Sequence, residues 1–173
     1  MKICILSDSH DHIPRLEQAV AQAKDWGAEA VLHCGDVVAP SSLNGLSRYG
    51  LPVHVIHGNN TGDLYALAKM SARPQHKIHY YGQDASLTLD GVRIFLVHYP
   101  HYAQALALTG DWDLVCCGHS HIVSLETVQH IKGGITHLVN PGTVAGVGQA
   151  PATFILADLA IWQFTVQTLA KHG

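Results

Sequence analysis

The hydrophobic positions in the first half of the chain form short runs that alternate with longer periodic segments. Three apolar runs between turn signals are typical of buried strands, at residues 2–7, 30–34 and 53–57. The segment 13–26 repeats its apolar residues every three or four positions and stops at Gly27, which predicts a helix. Shorter helices are predicted at 41–49 and 64–71. The first half is therefore predicted to alternate strands and helices.

Turn signals and apolar runs in the second half predict mostly antiparallel strands. Asp90-Gly91 is a strong hairpin signal between predicted strands 86–89 and 92–98. The other predicted elements are a hairpin of strands 122–130 and 135–140, a helix at 103–108, and strands at 114–117, 153–158 and 161–169. One α/β domain over residues 1–173, with two stacked mixed sheets flanked by helices, fits this order of elements.

Composition narrows the class of protein. The 173 residues are 47% hydrophobic and 13% charged, which predicts a globular protein with a packed core. A net charge of -3 and a pI of about 6.5 give no support for nucleic-acid or anionic-membrane binding. No apolar stretch reaches the roughly 20 residues of a membrane span. Four cysteines in or beside predicted strands, without a Cys-x-x-Cys motif, favour reduced thiols and a cytoplasmic location.

Histidine is the one anomaly of composition, with 14 residues, and several of them stand where a predicted strand ends. Acidic and amide side chains occupy similar positions, and each follows an apolar run. The full set is Asp8, His10, Asp36, Asn59, His98, His119 and His121. Because open α/β sheets bind ligands at the carboxyl ends of their strands, these residues are expected to converge. The alternative is that they are buried, hydrogen-bonded polar residues without a ligand.

The residue types in this set favour a metal site. Carboxylate and imidazole together suit Mn, Fe, Ni, Co or Zn rather than Ca. Asp36 can bridge two cations with its two oxygens, and Asn59 offers a neutral oxygen. Gly35, Gly58 and Gly118 each precede a candidate ligand, which favours tight turns with unusual backbone angles. The pattern therefore predicts a centre for two divalent metal ions, with Mn preferred.

Taken together and in this order, Asp8-Ser-His10, Gly-Asp36, Gly-Asn59, His98 and Gly-His119-Ser-His121 resemble the calcineurin-like metallophosphoesterase superfamily, specifically its small prokaryotic phosphodiesterases. The resemblance runs from Met1 to about Thr143 and includes Asn140-Pro141-Gly142. It implies a four-layer α/β/β/α sandwich and phosphoester hydrolysis by a hydroxide that bridges two metal ions. It also implies two ligand sets, which share one carboxylate: Asp8, His10, Asp36 and His121 for one ion, and Asp36, Asn59, His98 and His119 for the other.

The chain departs from this family where a general acid is expected. Many relatives have His or Cys directly after the Asn, and the His is the general acid for the leaving group. This chain has Asn60, which cannot donate a proton to an alkoxide. His12 and His101 are the candidates to replace it. The alternative role of His12 is a helix cap, and that of His101 is a residue at a helix start. Tyr99, where relatives often have Gly after the His, can stack on a substrate base or simply pack.

The leading function is metal-dependent hydrolysis of a small phosphodiester. A phosphomonoesterase uses the same chemistry and is the first alternative. The second is a non-catalytic interaction subunit, because a retromer scaffold subunit resembles this fold with an eroded metal site. No membrane partner and no nucleic-acid partner are expected. The sequence leaves the oligomeric state open, and a homodimer is expected only from the frequency of symmetric pairs.

Overall fold

The computed structural model describes residues 1–170, so the last three residues of the predicted domain lie outside the described part. Within it, eleven strands form two sheets: β1 (Lys2–Leu6), β2 (Ala30–His33), β3 (Val53–Val55), β4 (Ile78–Tyr80), β5 (Asp84–Leu89), β6 (Val92–Val97), β7 (Leu114–Cys116), β8 (Val123–His130), β9 (Gly134–Pro141), β10 (Thr153–Asp158) and β11 (Gln163–Thr168). The helices are α1 (Ile13–Trp26), α2 (Leu64–Ser71), α3 (Pro100–Thr109) and the 3₁₀ helices Pro40–Tyr49 and Pro74–His76.

Each sheet mixes parallel and antiparallel pairs. The six-stranded sheet has the order β11-β10-β1-β2-β3-β4, and the four strands from β1 to β4 run parallel. The five-stranded sheet has the order β5-β6-β7-β9-β8, in which β6, β7 and β9 run parallel. Parallel neighbours end at the same edge, so the loops after β1, β2 and β3 lie together, as do those after β6 and β7.

Three hydrophobic clusters separate four layers. Successive side chains of β1 point to opposite faces of the sheet. Cys4 and Leu6 therefore pack in a cluster with α1, whereas Ile3 and Ile5 pack in the cluster between the two sheets. Along β7, Val115 packs with α3 in the third cluster. Strands β1, β2 and β7 are buried on both faces, which explains why their sequences are continuous apolar runs. The predicted α/β/β/α sandwich of two mixed sheets flanked by helices is confirmed.

The element boundaries follow the hydrophobic pattern with a few exceptions. Helices α1 and α2 have the predicted limits, and α3 begins earlier, because Pro100 is well placed in a first turn. The segment predicted as a helix at 41–49 is a 3₁₀ helix that starts at Pro40. Strand β4 was not predicted, because it has three residues and only Ile78 is buried, which leaves no pattern to read.

Two expectations from composition can be compared with the fold. All four cysteines are buried and free among the residues that the structure describes, and their reduced state stays a prediction. In the described part of the chain, no helix combines the length and the hydropathy that a membrane crossing requires.

Candidate metal centre

The seven predicted ligands come together from loops that follow strands of both sheets. Asp8 and His10 follow β1, Asp36 follows β2, and Asn59 follows β3 in the larger sheet. His98 directly follows β6, and the pair His119 and His121 follows β7 in the smaller sheet. Hydrogen-bond and ion-pair distances connect all seven side chains across these loops. The predicted convergence is therefore present in the fold.

The first group of donor atoms contains one carboxylate and two imidazoles. His121 Nε2 lies 3.2 Å from Asp8 Oδ1 and 3.3 Å from His10 Nε2. His10 Nε2 also lies 3.7 Å from Asp36 Oδ2, which connects this group to the next. One donor atom from each of Asp8, His10 and His121 lies within 4.8 Å of the others. Ring nitrogens and a carboxylate this close to one another form a set that a transition-metal ion can take.

The second group is centred on the other oxygen of Asp36. His98 Nε2 lies 3.4 Å from Asp36 Oδ1 and 3.1 Å from Asn59 Oδ1. His119 Nδ1 lies 2.8 Å from the same Asn59 oxygen. Asp8, Asp36 and His98 also offer donors within 4.8 Å of one another, so the two groups are adjacent. One oxygen of Asp36 lies beside His10 of the first group and the other lies beside His98 of the second.

Five of the seven candidate ligands have a left-handed backbone conformation, with φ of 52° at Asp8, 40° at His10, 55° at Asp36, 67° at His119 and 59° at His121. This region is uncommon for residues other than glycine, and each such residue costs about 1–3 kcal/mol. Strain of this kind persists only where the surrounding structure holds it, and it clusters at functional sites. The loops are therefore built to present these side chains.

The glycines beside the ligands serve mainly to leave space. Gly35 has a φ of 103°, as the sequence suggested, but Gly58 and Gly118 are outside the left-handed region, so the expectation of unusual angles was wrong for them. A Cβ at Gly58 would overlap Asp36 Oδ1 and lie 2.7 Å from His98 Nε2. A Cβ on Gly118 would lie 2.6 Å from an oxygen of Asp8, an equally close approach.

Buried hydrogen bonds orient the ligands. His98 Nδ1 lies 2.8 Å from the Cys34 carbonyl oxygen, to which it donates, so Nε2 carries the lone pair that faces Asp36. The His119 backbone N–H donates to Asp8 Oδ2 at 2.9 Å, and the Thr143 hydroxyl donates to the Asp8 carbonyl at 2.8 Å. These bonds come from three different loops, so the geometry of each ligand depends on the packing of the others.

His33 supports the site from beneath and was not predicted to be a ligand. It is fully buried, its Nε2 lies 2.9 Å from Ser9 Oγ, and its Nδ1 accepts from the Gly35 N–H at 3.3 Å. Burial and the neighbouring His98 lower the pKa of His33 to about 3, so its ring is neutral. His33 joins the loop of Asp8 to the loop of Asp36.

The sequence matches a family model for the calcineurin-like phosphoesterase superfamily domain over residues 1–160. The chain belongs to this superfamily. The match covers all seven candidate ligands and extends past Thr143, where the resemblance of the motifs stopped. Membership places the chain in a family of phosphoric ester hydrolases and implies divalent metal ions.

Two curated relatives within the superfamily have similar length. Phosphodiesterase MJ0936 of Methanocaldococcus jannaschii is 29% identical over 149 residues, which are 84% of this chain and 86% of that protein. The probable metallophosphoesterase YsnB of Bacillus subtilis is 27% identical over 146 residues, which are 83% of this chain and 75% of that protein.

Solved structures of the superfamily share the fold. A novel archaeal phosphodiesterase superposes with a TM-score of 0.88 at 25% identity and covers 98% of this chain and all of that one. A Vps29 from Entamoeba histolytica superposes with a TM-score of 0.64 at 16% identity, covering 98% of this chain and all of that one. The second likeness concerns the fold alone.

Asn60, at the position where the resemblance implied a general acid, contacts the carboxylate of Asp36. Its backbone N–H donates to Asp36 Oδ1 at 2.8 Å, and its side-chain amide donates to Asp36 Oδ2 at 2.6 Å. Asn60 therefore holds both oxygens of Asp36. An amide in this position orients a ligand and supplies no proton.

The two other catalytic candidates lie at helix starts. His12 is the N-cap residue of α1, and its Nδ1 accepts from the Arg15 N–H at 3.4 Å. His101 is exposed in the first turn of α3, and its ring centroid lies 4.2 Å from that of Tyr102. Both positions agree with the structural alternatives that the sequence left open. Their roles in catalysis stay predictions.

Asn140 supports the site from the β9 side. Its amide nitrogen donates to the Gly118 carbonyl at 2.8 Å and to Ser120 Oγ at 3.1 Å, and its oxygen accepts from the Gly142 N–H at 3.0 Å. Asn140 thus braces the loop that carries His119 and His121. The Asn140-Pro141-Gly142 motif therefore shapes the site without placing a donor beside Asp36.

Proposed function

We propose that this protein is a metal-dependent phosphodiesterase that hydrolyses a small phosphodiester. The observation that carries the proposal is the pair of adjacent donor groups joined by Asp36, with His10 beside one oxygen and His98 beside the other. Its family of phosphoric ester hydrolases supplies the reaction class. The phosphodiester is favoured because the MJ0936 relative and the archaeal structure are both named phosphodiesterases.

The donor set fits two divalent ions. Asp8, His10, Asp36 and His121 would hold one ion, and Asp36, Asn59, His98 and His119 would hold the other. The mixture of imidazole, carboxylate and amide oxygen suits Mn, which we expect first, and also Zn, Fe, Ni or Co. When bound, a metal pair supplies an activated water at neutral pH and neutralises charge on phosphate oxygens.

The candidate ligands differ in burial, which bears on how rigidly they are held and on where a substrate can enter. Asp8, Asp36 and His98 are buried, so the inner ligands are held by the fold. Asn59 and His119 are exposed, so a substrate reaches the centre from their side. Asn60 cannot protonate the leaving group, so the leaving group must either be a weak base or receive a proton from another residue. We propose His12 or His101 as that proton donor. Phosphodiesters with good leaving groups are therefore the preferred substrates.

The domain extent, cellular location and oligomeric state of the protein are also predictions. We infer one domain over residues 1–173, a cytoplasmic location and a homodimer, with a small phosphoester as the substrate. The second candidate function, a non-catalytic scaffold, is possible on the same fold, and the fold alone does not distinguish it from an enzyme. The complete set of seven ligand positions favours the enzyme over the scaffold.

The test is Mn²⁺-dependent hydrolysis of bis-p-nitrophenyl phosphate compared with p-nitrophenyl phosphate. Asp36→Asn removes the carboxylate shared by both groups, and Asp25→Asn makes the same change on the exposed side of α1 as a matched control. We expect diester hydrolysis that requires the ion, is lost in Asp36→Asn and persists in Asp25→Asn. Preference for the monoester would assign a phosphatase. Absence of both activities in folded, metal-loaded protein would favour the scaffold.

A further inference from the structure

A cavity of about 430 Å³ opens beside the candidate metal centre and shares part of its wall. His98 lines the side that faces the centre. Phe95 of β6 and Tyr99, Tyr102 and Leu106 on or beside α3 line the apolar side. Small-molecule pockets range from about 300 to 1,000 Å³ and are mostly apolar with a few polar groups. The cavity has the size and the lining of such a pocket.

Two tyrosines connect the cavity to the candidate ligands. The ring centroid of Tyr99 lies 5.3 Å from that of His98 and 4.9 Å from that of His119. Tyr102 meets Tyr99 edge to face at a centroid distance of 5.8 Å and is 51% exposed, so about half of the residue is open to solvent. Exposed aromatic faces next to a pocket bind planar rings by stacking. The tyrosines therefore form an aromatic surface that leads from the metal centre into the cavity.

The charge of the residues that line the cavity disfavours binding of a second phosphate group there. None of the described residues that line the cavity is lysine or arginine, and Asp84 adds a carboxylate. An anionic occupant would be repelled, whereas a neutral ring with hydrogen-bond donors could meet this carboxylate. His57 adds a polar edge, since the Tyr80 hydroxyl lies 2.6 Å from its Nδ1 and leaves the other ring nitrogen for an occupant. The lining therefore suits a neutral, planar group.

We propose that this cavity binds an aromatic ring of the substrate, an aryl group or a nucleobase, while the phosphodiester of the same molecule lies at the metal centre. The inference rests on the proposed function, because the metal centre anchors the phosphate. Tyr99 and Tyr102 stack on the ring, and the volume and apolar lining of the cavity select aromatic over small alkyl esters. The protein is then a phosphodiesterase for ring-bearing substrates.

The test measures binding by calorimetry, using protein loaded with Mn²⁺. Phenylphosphonate and methylphosphonate carry the same anion and differ in the ring, and neither is hydrolysed. We expect phenylphosphonate to bind about tenfold more tightly, as stacking on an aromatic side chain provides. Tyr102→Ala removes the exposed ring, and Ala105→Trp fills the cavity from an exposed position of α3. Leu108→Trp adds bulk to the same helix outside the lining and is the matched control.

The ratio of the two affinities decides the proposal. Loss of the preference for phenylphosphonate in Tyr102→Ala and Ala105→Trp, with the preference kept in Leu108→Trp, supports it. Equal affinities in the wild type, or a preference that survives both cavity variants, overturns it. Adenosine 5′-monophosphate compared with ribose 5-phosphate separates the two ring types, because a preference for the former assigns a nucleobase and its absence an aryl group.

Hydrolysis of bis-p-nitrophenyl phosphate by the same samples separates this inference from the proposed function. Hydrolysis without any preference for the ring overturns the aromatic site and leaves the phosphodiesterase standing. Ring-dependent binding without hydrolysis supports the aromatic site and overturns the phosphodiesterase.

Discussion

Gly58 is the position where a single methyl group disturbs the centre most directly. A Cβ there would overlap Asp36 Oδ1 and lie 2.7 Å from both Cε1 and Nε2 of His98, whereas ordinary contacts begin near 3.4 Å. His98 would have to retreat by more than half an ångström, and Asp36 by more. Both side chains are buried, and Asp36 is held by two hydrogen bonds from Asn60. The side chains of Asp36 and His98 therefore cannot move away from an added Cβ without a substantial cost in free energy.

The cost of Gly58→Ala follows from this displacement. A misplacement of about 1 Å at a catalytic group can lower turnover about 100-fold, and disturbed ligand support costs about 10–100-fold in metal affinity. We expect kcat/KM for bis-p-nitrophenyl phosphate and the affinity for Mn²⁺ each to fall by about 10–100-fold. Overpacking should also lower the free energy of unfolding of metal-free protein by about 1–3 kcal/mol. Steady-state kinetics, metal titration and urea unfolding measure the three quantities.

Gly45→Ala is the control for this variant. A Cβ at Gly45 would also overlap a neighbour, but that neighbour is the carboxylate end of the Glu17 side chain, which can rotate away. Neither Gly45 nor Gly58 has a left-handed backbone, so the comparison isolates space from backbone strain. Gly45→Ala should retain kcat/KM within about twofold. If Gly58→Ala behaves like Gly45→Ala in kinetics and in Mn²⁺ affinity, the reasoning from the crowded ligands is refuted.

Three further predictions concern metal, protons and the missing acid. Chelation should abolish hydrolysis, and Mn²⁺ at 100 times its Kd should raise the free energy of unfolding by about 2.7 kcal/mol, a gain that Asp36→Asn should lack in thermal unfolding. Lowering the pH from 6.5 towards 3 should lower the free energy of unfolding of metal-free protein by up to about 1.4 kcal/mol per pH unit, because burial lowers the pKa of His33 to about 3 and unfolding takes up a proton. Urea unfolding at several pH values should show that the free energy of unfolding depends less steeply on pH in His33→Gln. An equal pH dependence in the two proteins would contradict the role assigned to His33. His12→Asn, which keeps a helix-capping acceptor, should slow diesters with poor leaving groups more than those with good ones, and an equal effect on both would leave His12 as a cap only.

The candidate ligands were predictable because their positions depend on local patterns. Apolar runs located the strands, and the sheet rule placed their carboxyl ends at one edge. The residues after those runs, such as Asp8, Asp36 and His98, could therefore be selected before any contact was known. Strand β4 escaped the same reasoning, since three residues with one buried side chain carry no periodicity.

The supporting residues could not be predicted in the same way. Asn60 was interpreted as a lost acid, and only its two hydrogen bonds show that it holds Asp36. Gly58 was expected to adopt an unusual backbone angle, whereas its role is to leave room for Asp36 and His98. These roles depend on residues distant in sequence, which a local pattern does not connect.

The sequence by itself determined the layers, the strand ends and the chemistry of the seven candidate ligands. The spacing of apolar residues, the turn residues and the types of the ligands can all be recognised within short stretches of the chain. Only the tertiary structure showed which oxygen of Asp36 lies beside His10 and which beside His98, and only the tertiary structure revealed the cavity beside β6 and α3. The candidate ligands come from loops of both sheets, and the cavity is lined by residues of the β3 loop, β6 and α3, so both depend on packing between segments far apart in the chain.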